Sequence, residues 1–143
     1  MITVKQLLQV KGNHIWGIDS NATVYEALKV LAEKDVGALL VIDSGKLVGI
    51  ISERDYARKV VLKGKSSMET PVREIMTSEV ITVGIDQTIE DCMALMTSRR
   101  IRHLPVLEGG KLAGVISIGD VVKSIISQQE FVIEQLENYI TGH

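Results

Sequence analysis

Two short segments of the sequence place a hydroxyl and a carboxylate three residues apart: Ser52-Glu53-Arg54-Asp55 and Ser117-Ile118-Gly119-Asp120. In one interpretation each segment is a capping box, in which the serine caps a helix and the aspartate bonds back to the serine backbone. In the other, each is a binding site. A serine hydroxyl and the free amides of a helix N-terminus suit a phosphate, and the carboxylate can accept both hydroxyls of a ribose. The spacing favours capping, and the two interpretations are compatible when no ligand is bound.

The sequence carries none of the usual catalytic or metal-binding motifs. It has no Gly-x-Gly-x-x-Gly loop, no P-loop and no Cys-x-x-Cys pair, and Val115 stands where a nucleophile elbow around Ser117 would need glycine. Its histidines are scattered without the spacing of metal ligands. We therefore predict that the protein is not an enzyme and holds no metal ion.

The two segments are equivalent positions of an internal repeat. Residues 15–62 align with residues 80–127 without a gap, and the best match pairs residues 45–55 with residues 110–120. A repeat of this length indicates one supersecondary unit used twice, with the apolar face of each copy buried. Two related copies also create two related clefts between them, and we expect function to lie there.

Each repeat shows the same order of predicted elements, β-α-β-β-α, within an α/β fold. Thr23 and Thr88 are predicted helix caps, each followed by apolar residues at helical spacing. The second helix of each repeat begins near Ser52 or Ser117, after a hairpin of two apolar strands. The predicted strands are 15–18, 38–42 and 47–51 in the first copy and 80–83, 104–107 and 112–116 in the second.

Further predictions concern the connecting segments and the strand glycines. Residues 70–76 are predicted as a linker helix, with a threonine cap and Pro71 in the first helical position. The apolar spacing of residues 4–8 indicates a helical turn near the N-terminus. Gly49 and Gly114, inside strands, are expected to permit close approach between the two copies.

The composition is that of an ordinary globular protein in a reducing compartment. The chain has 143 residues, of which 45% are hydrophobic and 24% charged, and its net charge is −2. This charge and the aromatic content of 3% give no case for nucleic acid binding. No apolar run approaches a membrane span, and the N-terminus lacks a signal pattern. The single cysteine, Cys92, aligns with Ala27 and is predicted to be a small buried residue. We therefore expect a cytoplasmic protein.

Taken with the repeat, two motifs resemble a known family. The pattern Gly-x-Ile-Ser-x-x-Asp occurs after each predicted hairpin, and Arg102-His103-Leu104-Pro105-Val106 precedes the second one. Residues 10–127 thereby resemble a tandem pair of cystathionine-β-synthase (CBS) domains, or Bateman module, of the stand-alone bacterial type. The resemblance implies two copies packed through their sheets around a pseudo-twofold axis. It also implies an adenosine-containing ligand (AMP, ADP, ATP, NAD or S-adenosylmethionine) in the clefts, and a homodimer, since two such modules commonly associate.

The resemblance assigns two unequal ligand sites. In the first, Asp120 would hold the ribose, Ser117 would lie near the ribose or phosphate, and the pair Arg102 and His103 would contact the phosphate. Adenine would lie against the other copy, near Trp16, Gly17 and Ile18 and near Val36, Gly37 and Ala38. The alternatives left open are a solvated Arg102, a His103 satisfied at the edge of the core, and a Trp16 that anchors the core.

In the second site Asp55 would hold the ribose and Ser52 would lie near the phosphate. Adenine would lie near residues 80–83, which include Val80, Ile81 and Val83, and near residues 101–103. Gly37-Ala38 replaces the basic pair of the first site, so phosphate binding would need Arg54 or Arg58 from the adjacent helix. The alternative for Arg58 and its neighbour Lys59 is a solvated helix face.

The predicted organisation has four parts: residues 1–64 with the first repeat, a linker of residues 65–79, the second repeat at 80–127, and a C-terminal helical extension of residues 128–143. An apolar stripe continues from Val121 to Ile140 and needs a covering surface, either on the module itself or on a second copy. We predict a homodimeric regulatory sensor that signals to an effector protein. The alternative is a dimerising interaction scaffold with non-functional clefts.

Overall fold

The structure is a computed structural model that describes residues 2–142. Within these residues the chain forms two compact units, one of residues 14–81 and one of residues 82–142 together with residues 2–13. Each unit holds one three-stranded sheet, so the predicted α/β fold is confirmed. No helix in this part of the chain is long and apolar enough to cross a membrane.

The helices and strands follow one another in the order expected from the repeat. They are α1 (Val4–Lys11), β1 (Gly17–Ile18), α2 (Val24–Lys34), β2 (Ala38–Asp43), β3 (Lys46–Ser52), α3 (Glu53–Tyr56), α4 (Val72–Ile75), β4 (Val83–Gly84), α5 (Ile89–Arg99), β5 (His103–Glu108), β6 (Lys111–Ser117) and α6 (Ile118–Thr141). Helix α3 continues directly into a π-helical segment, Ala57–Val61.

The unit of residues 14–81 builds the first β-α-β-β-α repeat. Strand β1 runs parallel to β2, and β2 runs antiparallel to β3 with Leu40 opposite Ile50. The β2–β3 turn places Ser44 and Gly45 at φ 51° and 79°, the left-handed values of a tight hairpin turn. Helix α2 begins at a capping box on Thr23, as predicted. The buried core is formed by Val24, Ala27, Leu31, Leu39, Val41, Ile51, Val60, Val72 and Ile75.

The unit of the second repeat has the same topology. Strand β4 runs parallel to β5, and β5 runs antiparallel to β6 with Val106 opposite Gly114. The register shifts after Val106, as it does after the equivalent Val41 in the first sheet. Helix α5 begins at a capping box on Thr88. The predicted β-α-β-β-α order is therefore confirmed in both copies.

Cys92 takes the place in α5 that Ala27 has in α2, and both side chains are fully buried. Burial, together with the charges of Asp91 and Glu90, raises the pKa of the Cys92 thiol to about 11. The thiol stays protonated at neutral pH and packs as a small apolar group, as predicted.

Each sheet is covered by the segment that precedes the other repeat in the sequence. Helix α1 packs in the unit of the second repeat, where the Val4 amide donates to the Gln87 carbonyl at 2.8 Å. Helix α4 packs in the unit of the first repeat, where the Val72 amide donates to the Ala22 carbonyl at the same distance. The two covering segments are thus structurally equivalent, although they lie outside the aligned repeat.

Helix α4 is shorter than predicted and begins after Pro71. Pro71 forms a β-bridge with Thr23 and has extended backbone with ψ 150°, so it occupies the N-cap position rather than the first helical position. The Thr70 hydroxyl donates to the Ser66 carbonyl at 2.7 Å. The predicted threonine cap was wrong, because the bridge holds the entry to the helix extended.

Gly49 and Gly114 serve packing inside their own units. A Cβ on Gly49 would lie 2.6 Å from the sulfur of Met76, and a Cβ on Gly114 would lie 2.8 Å from a methyl carbon of Leu8. Each glycine makes room for the segment that covers its sheet. The interpretation of these glycines as points of approach between the copies was therefore wrong.

Candidate functional site

Helix α6 begins where strand β6 ends, and a capping box fixes its first turn. The Asp120 amide donates to Ser117 Oγ at 3.2 Å, and the Ser117 amide donates to Asp120 Oδ2 at 2.8 Å. The capping interpretation is therefore confirmed. The same bonds orient the Asp120 carboxylate at the strand–helix junction, and among the described residues its second oxygen, Oδ1, accepts no hydrogen bond.

A lysine from the N-terminal helix completes this junction. Lys11, in the last turn of α1, places Nζ 2.5 Å from Asp120 Oδ2 and donates to the Val115 carbonyl at 2.5 Å. Burial alone would raise the pKa of Asp120, but the bonds from Lys11 and Ser117 and the charge of Lys11 hold it below its ordinary value. Asp120 is therefore an anion paired with a cation at neutral pH.

The contribution of Lys11 was missed by the sequence analysis. Lys11 lies outside the aligned repeat, and 104 residues separate it from Val115 in the sequence. The contact of Lys11 with Asp120 could be identified only from the packing of α1 on the second repeat. The available signal was the helical apolar pattern of residues 4–8, which ends shortly before a lysine.

The basic pair at the start of strand β5 flanks the same junction. His103 lies opposite Ser117 in the β5–β6 register, and the Arg102 carbonyl accepts from the first amide of α6 at 2.8 Å. Burial lowers the pKa of His103 most, and the charge of Lys11 lowers it further. The charge of Asp120 raises this pKa, but not enough to bring it back to its ordinary value. The imidazole is therefore neutral at pH 7, whereas the exposed Arg102 side chain is a cation.

The first repeat has the equivalent junction at Asp55. The Ser52 amide donates to Asp55 Oδ2 at 2.9 Å, and the Asp55 amide donates to Ser52 Oγ at 3.2 Å. Lys59, one helical turn further on, lies 3.1 Å from Asp55 Oδ1 and donates to the Ile75 carbonyl at 2.9 Å. Both carboxylate oxygens of Asp55 thus have partners. Lys59 is half-buried and paired, so its interpretation as part of a solvated face was wrong.

Glycine and alanine stand at this junction where the second repeat has its basic pair. The first amide of α3 donates to the Gly37 carbonyl at 3.1 Å, and Ala38 lies opposite Ser52 in the sheet register. The backbone correspondence predicted from the repeat is therefore confirmed. The candidate replacements for the basic pair, Arg54 and Arg58, have exposed side chains.

Trp16 lies on the surface of its unit. Its side chain is 36% exposed, Lys34 Nζ lies 4.4 Å from the ring centroid, and the His14 ring stacks on it with centroids 5.7 Å apart. The interpretation of Trp16 as a core anchor was wrong. It precedes the edge strand β1, which begins at Gly17, and its carbonyl accepts from the Leu40 amide at 3.1 Å.

The other predicted contact residues lie in or beside the two edge strands. Gly17 and Ile18 form β1, which is shorter than predicted. Val80 and Ile81 are half-buried and lie outside any strand, because β4 contains only Val83–Gly84. The predicted strand 80–83 therefore begins three residues later than expected. Each unit on its own brings together the serine, the aspartate and the residue pair at the start of its second strand.

The sequence model of the protein family described as "CBS domain" matches residues 14–62 and 72–127 of this chain. The chain belongs to the CBS-domain family. A solved protein with CBS domains from Burkholderia ambifaria MC40-6 is 55% identical to this CBS protein; the match covers 89% of this chain and 96% of that chain, with a TM-score of 0.86. The mitochondrial CBS domain-containing protein CBSX3 of Arabidopsis thaliana is 41% identical over 136 residues. That match covers 92% of this chain and 66% of CBSX3, so this CBS protein spans just under two thirds of that relative.

Two further solved structures are described with a ligand or an assembly. The CBS domain pair of protein MJ0100, in complex with 5′-methylthioadenosine and S-adenosyl-L-methionine, is 27% identical, covers 90% of this chain and 98% of that chain, and has a TM-score of 0.78. The CBS-CP12 protein from bloom-forming cyanobacteria, described as hexameric, is 28% identical, covers 85% of this chain and 70% of that chain, and has a TM-score of 0.76. The prediction of a tandem CBS pair is confirmed by these matches.

Proposed function

We propose that this CBS protein is a non-enzymatic regulatory module that binds an adenosine-containing nucleotide. The observation that carries the proposal is the junction at Asp120, where a fixed carboxylate lies beside the ammonium of Lys11 and the pair Arg102-His103. A carboxylate suits ribose hydroxyls, and nearby cations suit a phosphate. The complex of MJ0100 with two adenosine compounds supports this ligand class.

In this proposal Asp120 and Asp55 hold the ribose in their respective sites, and Ser117 and Ser52 lie near the ribose or phosphate. The candidate ligands are AMP, ADP, ATP, NAD and S-adenosylmethionine, and the adenine contacts are those that the family resemblance implies. The ligand acts through different affinities for two states of the module. An effector protein binds one of these two states and so responds to the ligand. We place this CBS protein in the cytoplasm, although the Arabidopsis relative is named as mitochondrial.

A second candidate function, a self-associating interaction scaffold, is favoured by helix α6. Its exposed apolar side chains are Val122, Ile126, Phe131, Val132, Ile133, Leu136, Tyr139 and Ile140. Five of these residues, Val122, Ile126, Ile133, Leu136 and Ile140, recur at helical spacing along one face of α6, and an apolar face of this length is unusual on the surface of a soluble monomer. We propose a homodimer in which a second copy covers this face. The hexameric CBS-CP12 relative supports self-association within the family.

Thermal unfolding with a panel of nucleotides tests the proposed function. At 100 times its dissociation constant a ligand stabilises the fold by about 2.7 kcal/mol, which raises the Tm of a module of this size by roughly 5–12 °C. We expect such a shift with at least one of AMP, ATP, NAD and S-adenosylmethionine, and a smaller one with GTP. If none of the four moves the Tm at millimolar concentration, the sensor is refuted and the scaffold is favoured.

A further inference from the structure

The ammonium of Lys11 is held at the Asp120 junction by a rigid element. Helix α1 is anchored by Val4, Leu7 and Leu8, which are 0%, 4% and 8% exposed. From the last turn of this helix, Lys11 reaches the carboxylate of Asp120 in its own unit and a β6 carbonyl. An ammonium has three N–H donors, and two of them have acceptors here. The third donor has no acceptor among residues 2–142, so it is available to a group that enters the site.

The charges around this junction favour an anion. Lys11 and Arg102 are cations, His103 is neutral at pH 7, and Asp120 is the one carboxylate among them. Asp120 receives both Lys11 and the Ser117 amide on Oδ2, which leaves Oδ1 for a ribose hydroxyl. A ribose can therefore bind at Asp120 without displacing Lys11, and the ammonium then lies beside the bound sugar.

We infer that Lys11 selects a phosphorylated adenosine at the Asp120 site by donating its third N–H to a phosphate oxygen. The inference rests on the proposed function and narrows its ligand class. AMP, ADP, ATP and NAD carry the required anionic phosphate. Neither S-adenosylmethionine nor methylthioadenosine carries a phosphate, so neither can accept this hydrogen bond from Lys11. The sulfonium cation of S-adenosylmethionine is also repelled by Lys11 and Arg102.

The Asp55 junction provides a matched comparison. Lys59 belongs to the helical segment that follows Asp55 and engages Oδ1, while Ser52 engages Oδ2. Oδ2 also accepts from the Ser52 hydroxyl at 3.0 Å, so a ribose hydroxyl at Asp55 would have to share Oδ1 with Lys59. Lys59→Met is therefore the control for Lys11→Met, because it removes the equivalent ammonium from a junction in which both carboxylate oxygens already accept hydrogen bonds.

Calorimetric titration with AMP, adenosine and S-adenosylmethionine tests the inference. The wild type should bind AMP more tightly than the other two. Lys11→Met should weaken AMP binding about tenfold, the loss of one charged hydrogen bond, and change adenosine binding by less than about threefold. Lys11→Arg should keep most of the AMP preference, and Lys59→Met should leave it unchanged at the Asp120 site.

Three results would overturn the inference. If Lys11→Met lowers the affinities for AMP and adenosine by the same factor, Lys11 supports Asp120 and does not contact the phosphate. An unchanged AMP affinity would remove Lys11 from the site. Wild type that binds none of the three compounds, and whose Tm neither ATP nor NAD raises, would refute the proposed function itself, which separates that failure from a failure of the inference alone.

Discussion

Ile50 and Thr77 exchange both of their backbone hydrogen bonds, each at 2.9 Å, along the edge of the first sheet that strand β3 forms. This pairing fixes the Thr77 carbonyl 3.0 Å from where a Cβ on Gly49 would lie, and Met76 is closer still. In the other unit the nearest atoms around a Cβ on Gly114 all belong to the flexible Leu8 side chain. Two equivalent glycines therefore differ in how tightly they are enclosed.

We predict that Gly49→Ala destabilises the protein more than Gly114→Ala. Overpacking costs about 1–3 kcal/mol; Gly49→Ala should fall near the upper end, because backbone must move, and Gly114→Ala near the lower end, because Leu8 can rotate. Urea unfolding measures both free energies. Gly84→Ala is the control, since nothing lies within 4 Å of its Cβ position. A larger cost for Gly114→Ala than for Gly49→Ala would contradict the account.

The pKa of His103 should report the presence of Lys11. Because burial and the charge of Lys11 hold the pKa of His103 below its ordinary value, Lys11→Met should raise it. NMR titration of the imidazole, assigned with His103→Gln, measures the change. An unaltered pKa in Lys11→Met would show that the two side chains do not interact in solution.

The same histidine should make stability depend on pH. Its folded pKa lies below the unfolded value of about 6.5, so the unfolded chain takes up the proton first as the pH falls. His103 therefore destabilises the fold progressively from about pH 6.5 down to its folded pKa. Denaturant unfolding across this range should show a weaker dependence for His103→Gln. Identical pH profiles for the two proteins would exclude this contribution.

The α6 face should control the oligomeric state. We expect the intact chain to be a dimer by light scattering at micromolar concentration, and a chain that ends at Gln128 to dissociate, because it lacks most of the exposed apolar residues of the face. Leu136→Asp should weaken the dimer, and Glu134→Gln, a change of an exposed polar residue, should not. A monomeric intact chain would refute the dimer, and an unchanged dimer after truncation would remove α6 from the interface.

The hairpins and helix starts could be predicted because their signals are local. The Thr23, Thr88, Ser52 and Ser117 capping boxes and the turn at Gly45 depend on neighbours within four residues, and the structure has all of them. Because each of these local signals occurs in both copies of the repeat, the order of the helices and strands could also be predicted.

What could not be predicted depends on contacts between distant segments. The docking of α1 on the second repeat, and with it the Lys11–Asp120 pair, joins residues that no local pattern connects. The surface position of Trp16 likewise could not be predicted, because Trp16 precedes an edge strand of only two residues. Gly49 and Gly114 were recognised as sites of close approach, but the approaching group could be identified only from the fold.

The most direct test of the account is calorimetric titration of the wild type, Asp120→Asn and Asp55→Asn with the nucleotide that gives the largest thermal shift. If Asp120 holds the ribose, Asp120→Asn should weaken binding in one site at least about tenfold, while Asp55→Asn leaves that site unchanged. Wild-type affinity in Asp120→Asn, accompanied only by a loss of about 1 kcal/mol in the free energy of unfolding, would show that Asp120 is a helix cap and nothing more.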